Sequence, residues 1–188
     1  MIAPPEASEH SPYHGSYIAL VGGQDIVQTA AQEGRAADAF YGSLTEEQGG
    51  LRYAPGKWTM KEVLGHVIDT ERILGYRALR IGRGDQTDLP GFEQDDYVAA
   101  AHSNARAWAD LASEFTDVRQ GSARLLKSFP DDAWMRRGTA NGMEITVRAL
   151  AYILTGHEMH HRKILRERYL AALVVAPAVS PPVCPRVS

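Results

Sequence analysis

The stretch Thr146-Val147-Arg148-Ala149-Leu150-Ala151-Tyr152-Ile153-Leu154-Thr155-Gly156-His157-Glu158-Met159-His160-His161-Arg162-Lys163-Ile164 carries one stripe, Val147, Leu150, Leu154, His157, His161 and Ile164, in alternating steps of three and four. That is the period of a helix facing a core. Two positions of the stripe that call for apolar side chains hold His157 and His161 instead. At about 100° per residue, a four-residue step returns the side chain to nearly the same face one turn on, so both imidazoles point the same way. Burying two imidazoles costs free energy unless each ring finds a partner, and one shared metal ion satisfies both.

Outward from this segment, which is expected to run as a helix from about Thr146 to Leu170, three more long helices are expected. The first, from about Asp25 to Leu44, repeats Ile26, Val27, Ala30, Ala37, Tyr41 and Leu44, with Gly34 as a weak spot. The second has a start signal: Thr59 and Glu62 stand at capping-box spacing, flanked by Trp58 and Val63 at the staple positions. It is expected to run from Met60 to about Ile81, where Gly82, Gly84 and Pro90-Gly91 stop it. A third is expected from Val98 to Phe129 through Trp108, Phe115 and Leu126, with a kink at Gly121. No sustained strand alternation appears, and Tyr17 to Val21 is ambiguous. The class is all-α, and four helices of this length joined by moderate connections predict a four-helix bundle, an architecture that holds metals between facing helices.

A length of 188 residues suits one domain, and 44% apolar residues suffice for a core. The expected organisation is a flexible N-terminal arm over residues 1–16, the bundle over 17–170, and a flexible Pro-, Ala- and Val-rich tail over 171–188, whose prolines forbid a continuing helix. Net charge is −3 and no stretch concentrates Lys and Arg without interleaved acids, so nucleic acid is not an expected partner. The single cysteine, Cys184, cannot pair within the chain, which fits a reducing, cytoplasmic setting. Neither a signal peptide nor a membrane span is expected.

Two imidazoles alone hold a divalent ion weakly, and catalytic zinc sites usually use three protein ligands. His66 is the natural third, because Val63, His66, Thr70 and Ile73 share one face of the second helix. A lone histidine on such a face is more often a hydrogen-bonded core residue, but pairing with a His-x3-His on another bundle helix favours ligation. His10, His14 and His102 read as surface histidines, and His160, turned about 100° from His161, reads as a contact between helices or a support to the ligands. His157 to His161 also satisfies H-E-x-x-H, the zinc-protease helix, but no histidine follows His161 to complete such a site, and His66 would go unexplained.

The segments Trp58-Thr59-Met60-Lys61-Glu62-Val63-Leu64-Gly65-His66-Val67-Ile68-Asp69-Thr70-Glu71-Arg72 and Gly156-His157-Glu158-Met159-His160-His161 resemble the two signature segments of the DinB/YfiT-like superfamily, and the similarity extends from about Tyr17 to Leu170. The resemblance implies an up-down-down-up four-helix bundle with a divalent ion, nickel or zinc, on three histidines, which carry over to His66, His157 and His161. It further implies a metal-dependent thiol S-transferase, with a low-molecular-weight thiol as cofactor, or a hydrolase. The superfamily includes thiol transferases, a thiol-dependent maleylpyruvate isomerase, hydrolases and proteins without an assigned activity. A small-molecule substrate is the expected partner, no membrane is expected, and a homodimer is one option for assembly. A non-catalytic metal-binding or interaction bundle is the alternative from another class.

Roles around the ligands stay open. Asp69 could orient the free nitrogen of His66 or pair with Arg72 or Lys61. Glu71 could pair with Arg119, which sits on an apolar-stripe position. Phe92, Gln94 and Asp95 could cover the site, or could belong to an ordinary helix start. Glu158 is expected on a flank, away from the bundle axis.

Overall fold

A computed structural model describes residues 1–171 of the chain. In order, these residues form α1 (Gly15–Val21), α2 (Ile26–Gly42), α3 (Glu46–Gly49), α4 (Met60–Gly82), α5 (Gln94–Ala101), α6 (Trp108–Lys127), a hairpin of β1 (Arg137–Ala140) and β2 (Met143–Thr146), and α7 (Val147–Ile164). The last helix continues with wider π-type bonding through Leu165–Leu170. Of the tail expected over 171–188, residues 172–188 lie outside the described residues.

The start signals act as their chemistry requires. Thr59 Oγ1 accepts from the Glu62 amide at 3.0 Å and Glu62 Oε2 accepts from the Thr59 amide at 2.7 Å, so two donors that the first turn of α4 leaves free are satisfied reciprocally. Asp25 caps α2 and Thr146 caps α7 in the same sense.

Contacts between helices fix their directions. Tyr41, Asp38 and Gly34 of α2 meet Trp108, Thr116 and Arg119 of α6 in reversed order, so those helices are antiparallel. Glu71 and Gly82 of α4 meet Arg119 and Phe129 in the same order, which makes α4 parallel to α6. Trp58 meets Tyr169 while His66 meets His157, so α4 and α7 are antiparallel. The course is up, down, down, up, with α2 and α4 each packed mainly on α6 and α7.

Buried apolar side chains form two clusters. One gathers Ile26, Leu74, Ile81, Phe129, Trp134 and Leu150, and the other Tyr41, Met60, Leu64, Trp108, Phe115 and Leu165. Between them every long helix places polar side chains: Glu33 on α2, Glu71 on α4, Arg119 on α6, and His157, Glu158 and Arg162 on α7. A polar belt therefore divides the core, and the candidate ligands belong to it.

Three expectations need correction. The helix expected over Val98 to Phe129 is two helices, because His102 turns left-handed (φ 49°) and Ser103 to Ala107 dip toward α4; α6 passes through Gly121 as one helix. A hairpin interrupts the otherwise helical course, turned by Asn141-Gly142, both at positive φ. The arm expected over residues 1–16 is fastened to the bundle. Glu9 is 1% exposed and accepts from Thr146 Oγ1 (2.8 Å) and Arg148 Nε (2.6 Å), and the Ile2 carbonyl accepts from Tyr152. A carboxylate facing a buried hydroxyl and a guanidinium ties down a segment whose composition alone suggests mobility.

Candidate metal centre

α4 brings His66 and α7 brings His157 and His161 to one point in the polar belt. The His157 Nε2 lies 3.2 Å from His66 Nε2 and 3.2 Å from His161 Nε2, and all three donor atoms fall within 4.8 Å of one another. Ligand atoms about 2.0–2.1 Å from a tetrahedral ion stand about 3.3 Å apart, so the spacing fits a common ion. Hydrogen bonding among the rings does not account for it. A neutral ring offers one N–H, so His157 Nε2 cannot donate to one neighbour and accept from the other at once. Among the described residues no fourth His, Cys, Asp or Glu joins the group.

Burial makes these nitrogens good donors. Desolvation lowers His66 to about 4, against a small opposing pull from Asp95. Desolvation, followed by the neighbouring imidazoles, holds His157 and His161 well below the usual histidine range. All three are neutral at pH 7, with lone pairs available. Aromatic neighbours hold the rings: Trp58 lies tilted against His66 (centroids 5.1 Å apart), and Tyr17 meets His157 edge-on (5.4 Å).

Two glycines let neighbouring elements close over the three histidines, and each precedes one of them. A Cβ at Gly156 would collide with the Tyr17 carbonyl, where α1 crosses α7, and a Cβ at Gly65 would collide with Ser103. The segments Gly65-His66 and Gly156-His157 thus combine a donor with the close approach that buries it.

A cavity of about 370 Å³ opens beside His66 and His157, with Tyr17, Thr70, Arg77, Phe92 and Gln94 among its walls. A second, of about 390 Å³, reaches His161 from another side between Tyr53, Lys57, Trp58, Asp95 and Tyr169. Phe92, Gln94 and Asp95, which the sequence left open between a cover for the site and an ordinary helix start, line these cavities, and Gln94 also begins α5.

Other expected residues separate. Asp69 lies 3.9 Å from Arg72 Nη1 and takes that pairing rather than a bond to His66. Arg119 Nη2 lies 2.8 Å from Glu71 Oε2, both buried. His160 packs edge-on against Tyr17 of α1, and His102 is exposed. His10 is half-buried against Ser11. Two expectations fail. Glu158 does not reach outward: it is 1% exposed, accepts from Tyr41 Oη at 3.1 Å and lies 3.0 Å from Arg162 Nε, because α2 covers the flank it was assigned. His14 is no free surface histidine: it lines the cavity beside His66 and His157, with Nδ1 buried and unpartnered among the described residues. Tyr17 and Arg77 escape the sequence reading. Arg77 stands eleven residues after His66, a three-turn step that a helical wheel can detect, whereas Tyr17 lies in a segment too short to assign.

A family model described as the DinB superfamily matches residues 30–165. The chain belongs to the DinB superfamily. Its fold is similar to that of YfiT from Bacillus subtilis, described as a probable metal-dependent hydrolase with an unusual four-helix bundle topology (TM-score 0.66, 15% identity, covering 89% of this chain and 92% of that one). It is also similar to a mycothiol-dependent maleylpyruvate isomerase (TM-score 0.63, 14% identity, covering 74% of this chain and 59% of the isomerase). A third likeness is to the DinB-like protein YjoA of Bacillus subtilis (TM-score 0.57, 16% identity, covering 82% and 94%). No curated protein sequence matches. At these identities the likenesses show the fold, and this DinB-superfamily chain carries within it a buried three-histidine group. Among the described residues no helix is long and apolar enough to cross a membrane.

Proposed function

We propose that His66, His157 and His161 hold a divalent metal ion, nickel or zinc, in an enzyme that joins or cleaves small molecules, with thiol transfer favoured over hydrolysis. The observation that carries this reading is the convergence of three neutral Nε2 atoms without a fourth protein ligand among the described residues. A closed structural site would take four. Such an ion, when bound, supplies a Lewis-acidic centre that brings a coordinated water or thiol toward deprotonation at neutral pH.

The chain's own residues do the rest. Three imidazoles leave the site's positive charge uncompensated, which favours an anionic nucleophile. Tyr17, whose phenol is pushed up by burial and then by its bond with Tyr13, stays protonated and offers a neutral donor at the cavity wall. Two cavities that meet the histidine cluster from different sides, one at His66 and His157 and the other at His161, suit two organic reactants, whereas hydrolysis needs one cavity and water. The isomerase and YfiT descriptions support a thiol-dependent and a hydrolytic reading respectively. Glu158, turned to Tyr41 and Arg162, is not placed to serve as the base of a zinc protease.

The test is incubation of metal-loaded protein with low-molecular-weight thiols and an electrophilic acceptor, following thiol consumption and hydrolysis in parallel. Metal-dependent thiol consumption that disappears in His157→Ala is expected. Hydrolysis alone would move the assignment to the hydrolase, and neither activity across a broad panel would favour the non-catalytic bundle.

A further inference from the structure

We propose that the cavity beside His66 and His157 takes a small organic acid whose carboxylate is held by Arg77 while its other end meets the three histidines. The proposal rests on the metal-centre reading for what happens at that end, but the acid-binding half stands on separate observations.

Arg77 is 9% exposed, lines the cavity, and donates one hydrogen bond, from Nη2 to the Pro90 carbonyl at 2.7 Å. Among the described residues no carboxylate lies within ion-pairing distance of it. The other arginines buried in this bundle are treated differently: Arg119 faces Glu71, and Arg162 faces Glu158. A guanidinium keeps its charge at any ordinary pH, and a buried cation without a counter-ion is costly. A carboxylate delivered by a ligand removes that cost and can take two parallel bonds from the guanidinium fork.

Two further polar atoms face the same need. Thr70 Oγ1 and His14 Nδ1 are buried without a partner among the described residues, and both residues line this cavity. The acids on the cavity wall, Glu93 and Glu144, are exposed, and Glu144 is engaged by Arg137. Anion recognition is therefore assigned to Arg77 and not to the rim.

Geometry also sets the size of the ligand. His66, Thr70 and Arg77 lie along one face of α4, and the eleven residues from the first to the last rise about 16 Å. Long side chains on a helix lean back toward its N-terminus, which for Arg77 is the direction of His66. The acid must still span several bonds between carboxylate and reacting group. A volume of about 370 Å³ lies near the lower end of the about 300–1,000 Å³ of small-molecule sites, which excludes a polymer.

The experiment uses the full chain stripped of metal by chelation, so that no carboxylate can bind an ion. Hexanoate and 3-phenylpropanoate are titrated against their primary amides by NMR. The acids are expected to bind about tenfold or more tightly than the amides. Arg77→Gln should erase that preference and Arg77→Lys should keep part of it, so the result does not depend on one variant folding. Thr70→Val should weaken the acids by a smaller factor. Equal binding of acids and amides, binding of neither, or a preference that survives Arg77→Gln would overturn the proposal. A metal-free wild-type protein as isolated, with the preference intact, would remove the metal reading and leave the acid pocket standing.

Discussion

One helix carries two polar pairs that differ by a single residue in register. His157 and His161 face α4, and Glu158 and Arg162, rotated by about 100°, face α2. Both pairs stand at i and i+4 and both occupy the polar belt. The second pair is closed: Glu158 meets Arg162 and Tyr41, Arg162 also meets Glu33, and beside them Glu71 meets Arg119. The first is open, since His66 adds a third donor and no acceptor. The meaning of a buried polar pair thus lies in what the facing helix offers: complementary charge makes a fastening, and further lone pairs make a site.

The closed side should give the largest stability effect when broken. Burial pushes the Glu71 and Glu158 carboxyls up, and Arg119 is the leading influence that opposes it in each. Arg119→Met is expected to cost about 3–5 kcal/mol in urea unfolding, because it leaves buried acids uncompensated, whereas Arg119→Met combined with Glu71→Met should recover much of that loss. A single variant as stable as the parent would show that the belt is not closed as described.

Breaking the open side should do the reverse. His66→Ala, His157→Ala and His161→Ala should each lose most bound metal by elemental analysis while leaving the stability of the metal-free chain nearly unchanged. Chelation of the parent protein should lower stability by about 3–4 kcal/mol where free metal stands at 100 to 1,000 times the dissociation constant, with the helical signal largely retained. Chelator should not affect His157→Ala.

A third pair sharpens the contrast in pH. Burial favours the neutral form of Glu9, but bonds from Arg148, the Glu6 amide and Thr146 outweigh it and hold the carboxyl at about 2, against an ordinary 4.5. Because the folded value is the lower, Glu9 contributes its stability above about pH 4.5, and that contribution is lost as pH falls toward 2. Thermal unfolding should weaken across this window, and Glu9→Gln should flatten its share of the slope. The smallest effect is expected for His160→Ala and His102→Ala, which should retain metal near the parent level.

The sequence shows the open side more readily than the closed one. Periodicity places His66, His157 and His161 on inward faces, and the capping box at Thr59 sets where α4 begins, so their convergence follows from local rules. The same wheel sends Glu158 outward only if nothing covers that flank, and no local signal says that α2 packs there. Glu71 and Arg119 are legible as a pair because each interrupts an apolar stripe. The break at His102 and the docking of Glu9 depend on contacts across the fold, with Gly65 and with Arg148 and Thr146. The Asn141-Gly142 turn, by contrast, is a readable hairpin signal masked by strands of only four residues.

X-ray absorption spectroscopy of the tag-free, metal-loaded protein addresses the central claim most directly. The account predicts one ion per chain with three imidazole nitrogens at about 2.0–2.1 Å and the remaining positions filled by exchangeable light atoms, all lost in His157→Ala. A fourth protein ligand, a sulfur ligand in the thiol-free protein, or a spectrum unchanged by His157→Ala would contradict it.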